Sequence, residues 1–215
     1  MKNILILAAH PDDETLGCGG TIHRLASEGN DIRLITFTNG EGARGTTDKN
    51  RNNSLDQVSN ILGINSHTYG DFPDNAMDSV PLLEVCKFLE YNLTFKPDII
   101  FTHFIGDLNI DHQIVAKATY TVFRPQMGDN HKIYSYYVPS STDYNPTTNY
   151  GGDIYFNLSK ENIEAKMNAL KIYDKEMRSY PHTRSYTNVK NLMKVWGSEV
   201  GVKNCEKFKN IRQLI

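Results

Sequence analysis

The sequence predicts an α/β protein with a doubly wound, mainly parallel sheet and helices on both faces. Short apolar runs rich in β-branched residues alternate with helix-period segments over the first 125 residues. The polar clusters fall just beyond the carboxyl ends of two of those runs, where open parallel sheets bind ligands. Lys2–Ala8 reads as a buried strand, and Thr15–Glu28 as a helix with Cys18, Ile22 and Leu25 on one face. Asp31–Phe37 is a second strand. Arg51–Leu62 is a second helix, turning Leu55, Val58, Ile61 and Leu62 inward and ending at Gly63. Ser66–Asp71 reads as a short strand and Leu82–Leu93 as a helix started by Pro81. Pro97 and Asp98 punctuate before the strand Ile99–His103. Asp111–Phe123 then shows Ile114, Val115, Ala118 and Val122 to the core.

From about residue 130 the pattern is less regular. Lys132–Val138 alternates like a strand, Ile154–Asn157 could be another, and Ser140–Gly152 has loop composition. Lys160–Met177 reads as a helix with Ser159 as N-cap and Leu158 and Ile163 as a hydrophobic staple. A partly helical segment follows Pro181, through Val189, Leu192, Met193 and Trp196. The 215 residues suit one domain spanning 1–215.

Composition excludes several function classes. No apolar run approaches the roughly 18 residues of a membrane span, and Ile4–Ala9 is too short for a signal-peptide core, so a cytoplasmic protein is expected. The net charge of −2 and the absence of a basic stripe argue against nucleic acid. Cys18, Cys86 and Cys205 form no CxxC pair, so neither a thiolate metal site nor a disulfide framework is suggested.

The chemistry concentrates in Ala8–Glu14 (AAHPDDE) and Thr102–His112 (THFIGDLNIDH), after the first and fourth strands. Those strands are neighbours in the usual doubly wound order, so both clusters face one cleft. Three carboxylates beside a histidine call for a positive partner, and a divalent cation supplies one. Imidazole and carboxylate ligands suit zinc, and three protein ligands leave a position for water. Pro11 stiffens the turn so that His10 and Asp13 converge on one ion with His112, while Asp12 points toward the attacking water as general base. Two structural explanations compete. Asp12, Asp13 and Glu14 could simply favour a helix N-terminus, and Asp111 with His112 could be another. A dinucleotide site is disfavoured, because Ile22 stands where the third glycine belongs and three acids precede Gly17. The glycines instead let the first helix pack close to the sheet.

AHPDDETLGCGGTI and NIDHQ resemble the two metal-binding motifs of the PIG-L/LmbE-like deacetylase family. The resemblance extends through FPDNAMDSVPLLEV, RPQMG, YYVPSSTDY, EMRSYPHTRS and GSEVGV. It implies a Rossmann-like fold and one zinc ion per chain, held by His10, Asp13 and His112, with Asp12 as base. It also implies that Arg51 contacts substrate and that Asp111 supports the site. The implied reaction is hydrolysis of the acetamido group of an N-acetylated sugar or sugar nucleotide, with surface-polysaccharide biosynthesis as the implied context. The alternative is an amide hydrolase acting on another N-acyl conjugate, a thiol glycoside or antibiotic intermediate. One departure is Asn109, standing where many members carry a histidine that polarises the carbonyl. Asn109 or His182 is then the candidate oxyanion donor, and Asp12 or His182 the acid for the leaving amine; Asn109 as a plain helix cap is the competing reading. Arg44, like Arg51, flanks the loop after the second strand and could grip hydroxyls or a phosphate. His103 is either a site residue or a packing residue. Tyr134, Tyr136, Tyr137 and Tyr144 could stack on a sugar, although strand packing explains most of them. Partners are expected to be small molecules, with a homo-oligomer left open.

Overall fold

The computed structural model describes residues 1–39, 51–127 and 129–214, with the side chains of residues 51–53 outside that description. Among the described residues the chain runs β1 (Asn3–Ala8), α1 (Asp13–Ser27), β2 (Asp31–Thr36), α2 (Arg51–Leu62), β3 (Ser66–Tyr69) and α3 (Leu82–Asn92). It continues through β4 (Ile99–His103), α4 (Ile110–Val122), β5 (Lys132–Tyr136), β6 (Ile154–Asn157), α5 (Lys160–Ile172), α6 (Tyr186–Glu199) and β7 (Cys205–Arg212). The sheet order is β3-β2-β1-β4-β5-β7-β6. The pairs β2–β3, β1–β2, β1–β4 and β4–β5 are parallel. β7 pairs antiparallel with both β5 and β6.

The central strand shows why its sequence is apolar without alternation. Ile4, Ile6 and Ala8 join the cluster under α1, α2 and α5, whereas Leu5 and Leu7 join the cluster under α3 and α4. Both faces of β1 are covered, so every residue from Ile4 to Ala8 is fully buried. Chain direction across the sheet reverses between β1 and β4, and the crevice beyond their carboxyl ends is the switch point.

Several boundaries differ from the sequence expectations. α1 starts at Asp13, and its backbone leaves helical geometry at Cys18 (φ −142°, ψ 19°). The helix expected to reach Met177 stops at Ile172, with a short 3-10 turn over Asp174–Glu176. Ser159 caps α5 through a reciprocal capping box with Asn162. β7 is not foreseen in the sequence: its Glu206 is fully buried, which breaks the polar-out alternation that marks a half-buried strand. The glycines of α1 do admit close packing. A Cβ on Gly17 would lie 2.2 Å from the Tyr136 ring, and one on Gly20 2.7 Å from Leu158. No helix among the described residues is long and apolar enough to cross a membrane.

Candidate metal centre

β1 ends at Ala8, and the chain turns through His10–Asp13 before α1 begins. Asp12 makes the turn with φ 123°, a conformation that side-chain-bearing residues rarely adopt. Its amide donates to Glu14 Oε2 (3.1 Å), and its carbonyl accepts from the Leu16 amide (2.8 Å). The strain, on the order of 1–3 kcal/mol for such a residue, is characteristic of functional sites. The turn brings His10 and Asp13 together, with the His10 amide donating to Asp13 Oδ2 (2.9 Å). Beyond β4, Asn109 caps α4 by accepting from the amides of Asp111 (2.8 Å) and His112 (3.4 Å). That cap points the first turn of α4 back toward His10.

Three ligand atoms converge. His10 Nδ1 lies 3.1 Å from Asp13 Oδ2, Asp13 Oδ2 lies 3.2 Å from His112 Nε2, and His112 Nε2 lies 3.3 Å from His10 Nδ1. A tetrahedral ion with ligand bonds near 2.0–2.1 Å spaces neighbouring ligands about 3.3–3.4 Å apart. The observed triangle therefore matches one face of such a tetrahedron with little opening. Asp13 Oδ1 is buried with no hydrogen-bond partner among the described residues, so the carboxylate has a further lone pair to offer. These three residues form a group able to hold a metal ion, and His10, Asp74 and Asp111 form a second grouping on the far side of the His10 ring.

Each imidazole is backed by carboxylate at its remote nitrogen. His10 Nε2 faces Asp111 Oδ2 (2.9 Å) and Asp74 Oδ1 (3.3 Å), and His112 Nδ1 faces Asp107 Oδ1 (3.2 Å). This arrangement fixes ring orientation and tautomer in metal-bound histidines. Asp111 is itself held by the amides of Asn75 (2.6 Å) and Met77 (3.0 Å). Asp107 accepts from the Asn109 amide (2.9 Å) and from the hydroxyls of Ser141 (3.1 Å) and Thr142 (2.6 Å) in the segment after β5. His103 stacks on His112 at 3.9 Å between ring centroids and takes the Ala9 amide at Nε2 (2.8 Å).

The charges are strongly coupled. Burial lowers the pKa of His112, but Asp13 and Asp107 outweigh it and hold it up to about 9. His10 follows the same pattern: burial lowers it, and Asp111, Asp13 and Asp74 carry it well above the ordinary imidazole value. Burial raises Asp13, yet His112 and His103 pull it well below the usual carboxylate range. Burial pushes Asp12 up to about 8, with Arg184 opposing and Asp13 adding to the rise.

The expected residues are placed unevenly. His10, Asp13 and His112 are in mutual contact, Asp111 touches His10, and Asp12 immediately precedes Asp13. Asn109 serves as the α4 cap, and its amide nitrogen donates to Asn75 Oδ1 (3.1 Å). His182 Nδ1 accepts from the Arg184 amide (3.0 Å), and its ring meets Tyr144 edge-on at 6.0 Å. Tyr134 and Tyr136 are core residues of β5. Arg44 lies outside the described residues; Arg51 opens α2, but its side chain is likewise outside them. Asp107, Asp74 and Arg184 contact the candidate residues and are not singled out by the sequence. Arg184 Nη1 reaches Asp12 Oδ2 at 3.1 Å across 172 residues of chain. Its only sequence signal is its position inside the EMRSYPHTRS block.

A family model described as PIG-L, GlcNAc-PI de-N-acetylase, matches residues 5–123. A 1D-myo-inositol 2-acetamido-2-deoxy-alpha-D-glucopyranoside deacetylase of Mycobacteroides abscessus is 40% identical over 62 residues, 29% of this chain and 22% of that relative. The match thus spans about a fifth of that curated relative's length. YaiS of Escherichia coli K12, an uncharacterized deacetylase, is 27% identical over 180 residues, covering 79% of this chain and 89% of its own. Among solved structures, the N,N'-diacetylchitobiose deacetylase of Pyrococcus horikoshii superposes with a TM-score of 0.77 at 19% identity, over 98% of this chain and 84% of that one. That last likeness is one of Rossmann-like fold. With the family model covering more than half its residues, this chain belongs to the PIG-L family.

Proposed function

We propose that the chain is a zinc-dependent N-deacetylase, acting on the acetamido group of an N-acetylated sugar or sugar nucleotide, and that residues 1–215 work as one domain. The observation that carries this reading is the triangle of His10 Nδ1, Asp13 Oδ2 and His112 Nε2, with an acid behind each imidazole and Asp12 beside it. The deacetylase relatives supply the substrate class. Surface-polysaccharide or related glycoconjugate biosynthesis is the context we favour.

Zinc held by these three residues would polarise the amide carbonyl and acidify the attacking water. The chain's own groups do the rest. Asp12 accepts the proton as the water oxygen bonds to the acetyl carbon. Burial raises its proton affinity, which suits a group that must take a proton near neutrality and pass it on. Arg184 fixes the carboxylate's orientation and keeps its charged form accessible. Asp12, or His182 on the same segment as Arg184, then delivers the proton to nitrogen as the C–N bond breaks. The products are acetate and a free amine.

The test is acetate release by the zinc-loaded chain across N-acetyl hexosamines, their nucleotide forms and acylated thiol glycosides. Release from the sugars or sugar nucleotides is expected. Release confined to thiol glycosides redirects the substrate assignment, and no release from any member sinks the deacetylase reading.

A further inference from the structure

α1 carries a break that residues from the far end of the chain repair. In an unbroken helix the Gly20 amide would donate to the Leu16 carbonyl four residues back. With Cys18 out of helical geometry, the Gly20 amide donates to Glu206 Oε1 (3.1 Å), and the Thr21 amide to Glu206 Oε2 (2.7 Å). The Leu16 carbonyl accepts from Lys166 Nζ (2.8 Å), and that same Nζ donates to Glu206 Oε1 (2.6 Å). An ion pair thus bridges the two sides of the kink, running Gly20 amide, Glu206, Lys166, Leu16 carbonyl. Lys166 is 2% exposed and Glu206 fully buried. Gly19 and Gly20 admit them: a Cβ on Gly19 would lie 3.3 Å from Lys166 Cγ, and one on Gly20 3.4 Å from Glu206 Oε1.

A buried ion pair is an inefficient way to fill a core, because apolar side chains of similar volume often stabilise at least as well. What apolar side chains cannot do is satisfy two amides and a carbonyl at a helix break. The break sits between the turn that presents Asp12 and Asp13 and the half of α1 that packs under α5. Both splinting residues, on α5 and β7, lie beyond residues 5–123.

We propose that the Lys166–Glu206 pair is a positioning device for the metal-binding turn, holding the two segments of α1 at the angle that aims Asp12 and Asp13 into the site. The proposal rests on the metal reading of His10, Asp13 and His112. Neither residue touches the reacting atoms; they act through Asp13 and Asp12.

The experiment compares the full chain with Lys166→Met and Glu206→Gln for zinc affinity by chelator competition, for kcat and KM, and for melting temperature. Zinc affinity about tenfold weaker or more is expected, the scale at which supporting residues act on metal sites. kcat should fall with KM little changed. A lowered melting temperature with unchanged zinc affinity and kcat would overturn the proposal, since a merely structural pair moves stability alone. Should the variants fail to fold, hydrogen exchange on the unmodified chain decides. Coupling between sites is reciprocal, so zinc should slow exchange at the Gly20 and Thr21 amides more than at Leu34 in β2. Equal slowing at all three overturns it. An unmodified chain that binds no zinc overturns the metal reading and this proposal with it; normal binding with unaffected variants overturns this proposal alone.

Discussion

Asp12 combines a strained backbone, near-complete burial and an arginine partner. Its carboxylate pairs with Arg184 and is not one of the three converging ligand atoms, which fits the proposed base rather than a ligand. Asp12→Asn should therefore keep zinc and fold while losing about 10²–10⁴ in turnover, the range of general-base catalysis. Near-normal turnover with stoichiometric zinc would assign the base elsewhere. Asn109 calls for a different test, because its carbonyl oxygen caps α4 while its amide nitrogen is held by Asn75. Asn109→Asp retains the cap acceptor and removes the donor; Asn109→Ala removes both. If the side chain is only a cap, the Ala variant loses about 1 kcal/mol of stability and the Asp variant very little, with turnover unchanged, as denaturant melts and assays would report. An oxyanion donor would show instead as a drop of about 10²–10³ in turnover in both variants.

At the scale of elements, the site is assembled from segments that do not advertise their proximity. The turn after β1 and the start of α4 are legible in the sequence, because HPDDE and NIDH place several metal-binding residue types within a few positions. The parallel half of the sheet is legible for a related reason: strands buried on both faces read as apolar runs, and Ile4–Ala8 of β1 and Ile99–Phe101 of β4 are such runs. The antiparallel edge is legible only in part, since Ile154–Asn157 reads as a strand and is β6, whereas β7 does not stand out. β7 carries a buried Glu206 among lysines, and the partners that make it tolerable, Lys166 and the amides of Gly20 and Thr21, are all remote in sequence. Arg184 and Asp107 escaped for the same reason, since each acquires meaning from a partner that local patterns cannot identify. Asp107 is the more informative of the two. It joins His112 to Ser141 and Thr142, and thereby ties a proposed metal ligand to the segment after β5. Asp107→Asn should weaken zinc binding about 10–100-fold, as loss of a carboxylate behind a ligating imidazole does elsewhere. Chelator competition measures this directly, and an unchanged affinity would reduce Asp107 to a loop anchor.

At the scale of the molecule, the proposed centre connects the ends of β1 and β4, the segment after β3 and, through Arg184, the region before α6. A ligand bound there stabilises the folded state as a whole, by about 2.7 kcal/mol at a free concentration one hundred times Kd. For a chain of this size that amounts to about 5–10 °C in melting temperature. The gain should depend on pH with a definite sign. Without metal, Asp13 and Asp107 hold His112 at a pKa of about 9, above its unfolded value. Its protonation therefore stabilises the metal-free fold fully below the ordinary histidine range, and that contribution is lost as pH rises through about 9. Zinc requires the same imidazole without its proton, so binding at neutral pH must release protons. The melting-temperature difference between zinc-loaded and chelated protein should accordingly widen as pH is raised from 6.5 toward 9. Calorimetric titration in buffers of different ionisation enthalpy should register the released protons at pH 7. A pH-independent gain with no proton release would mean that the ion binds away from His10 and His112, and the metal assignment would fall with it.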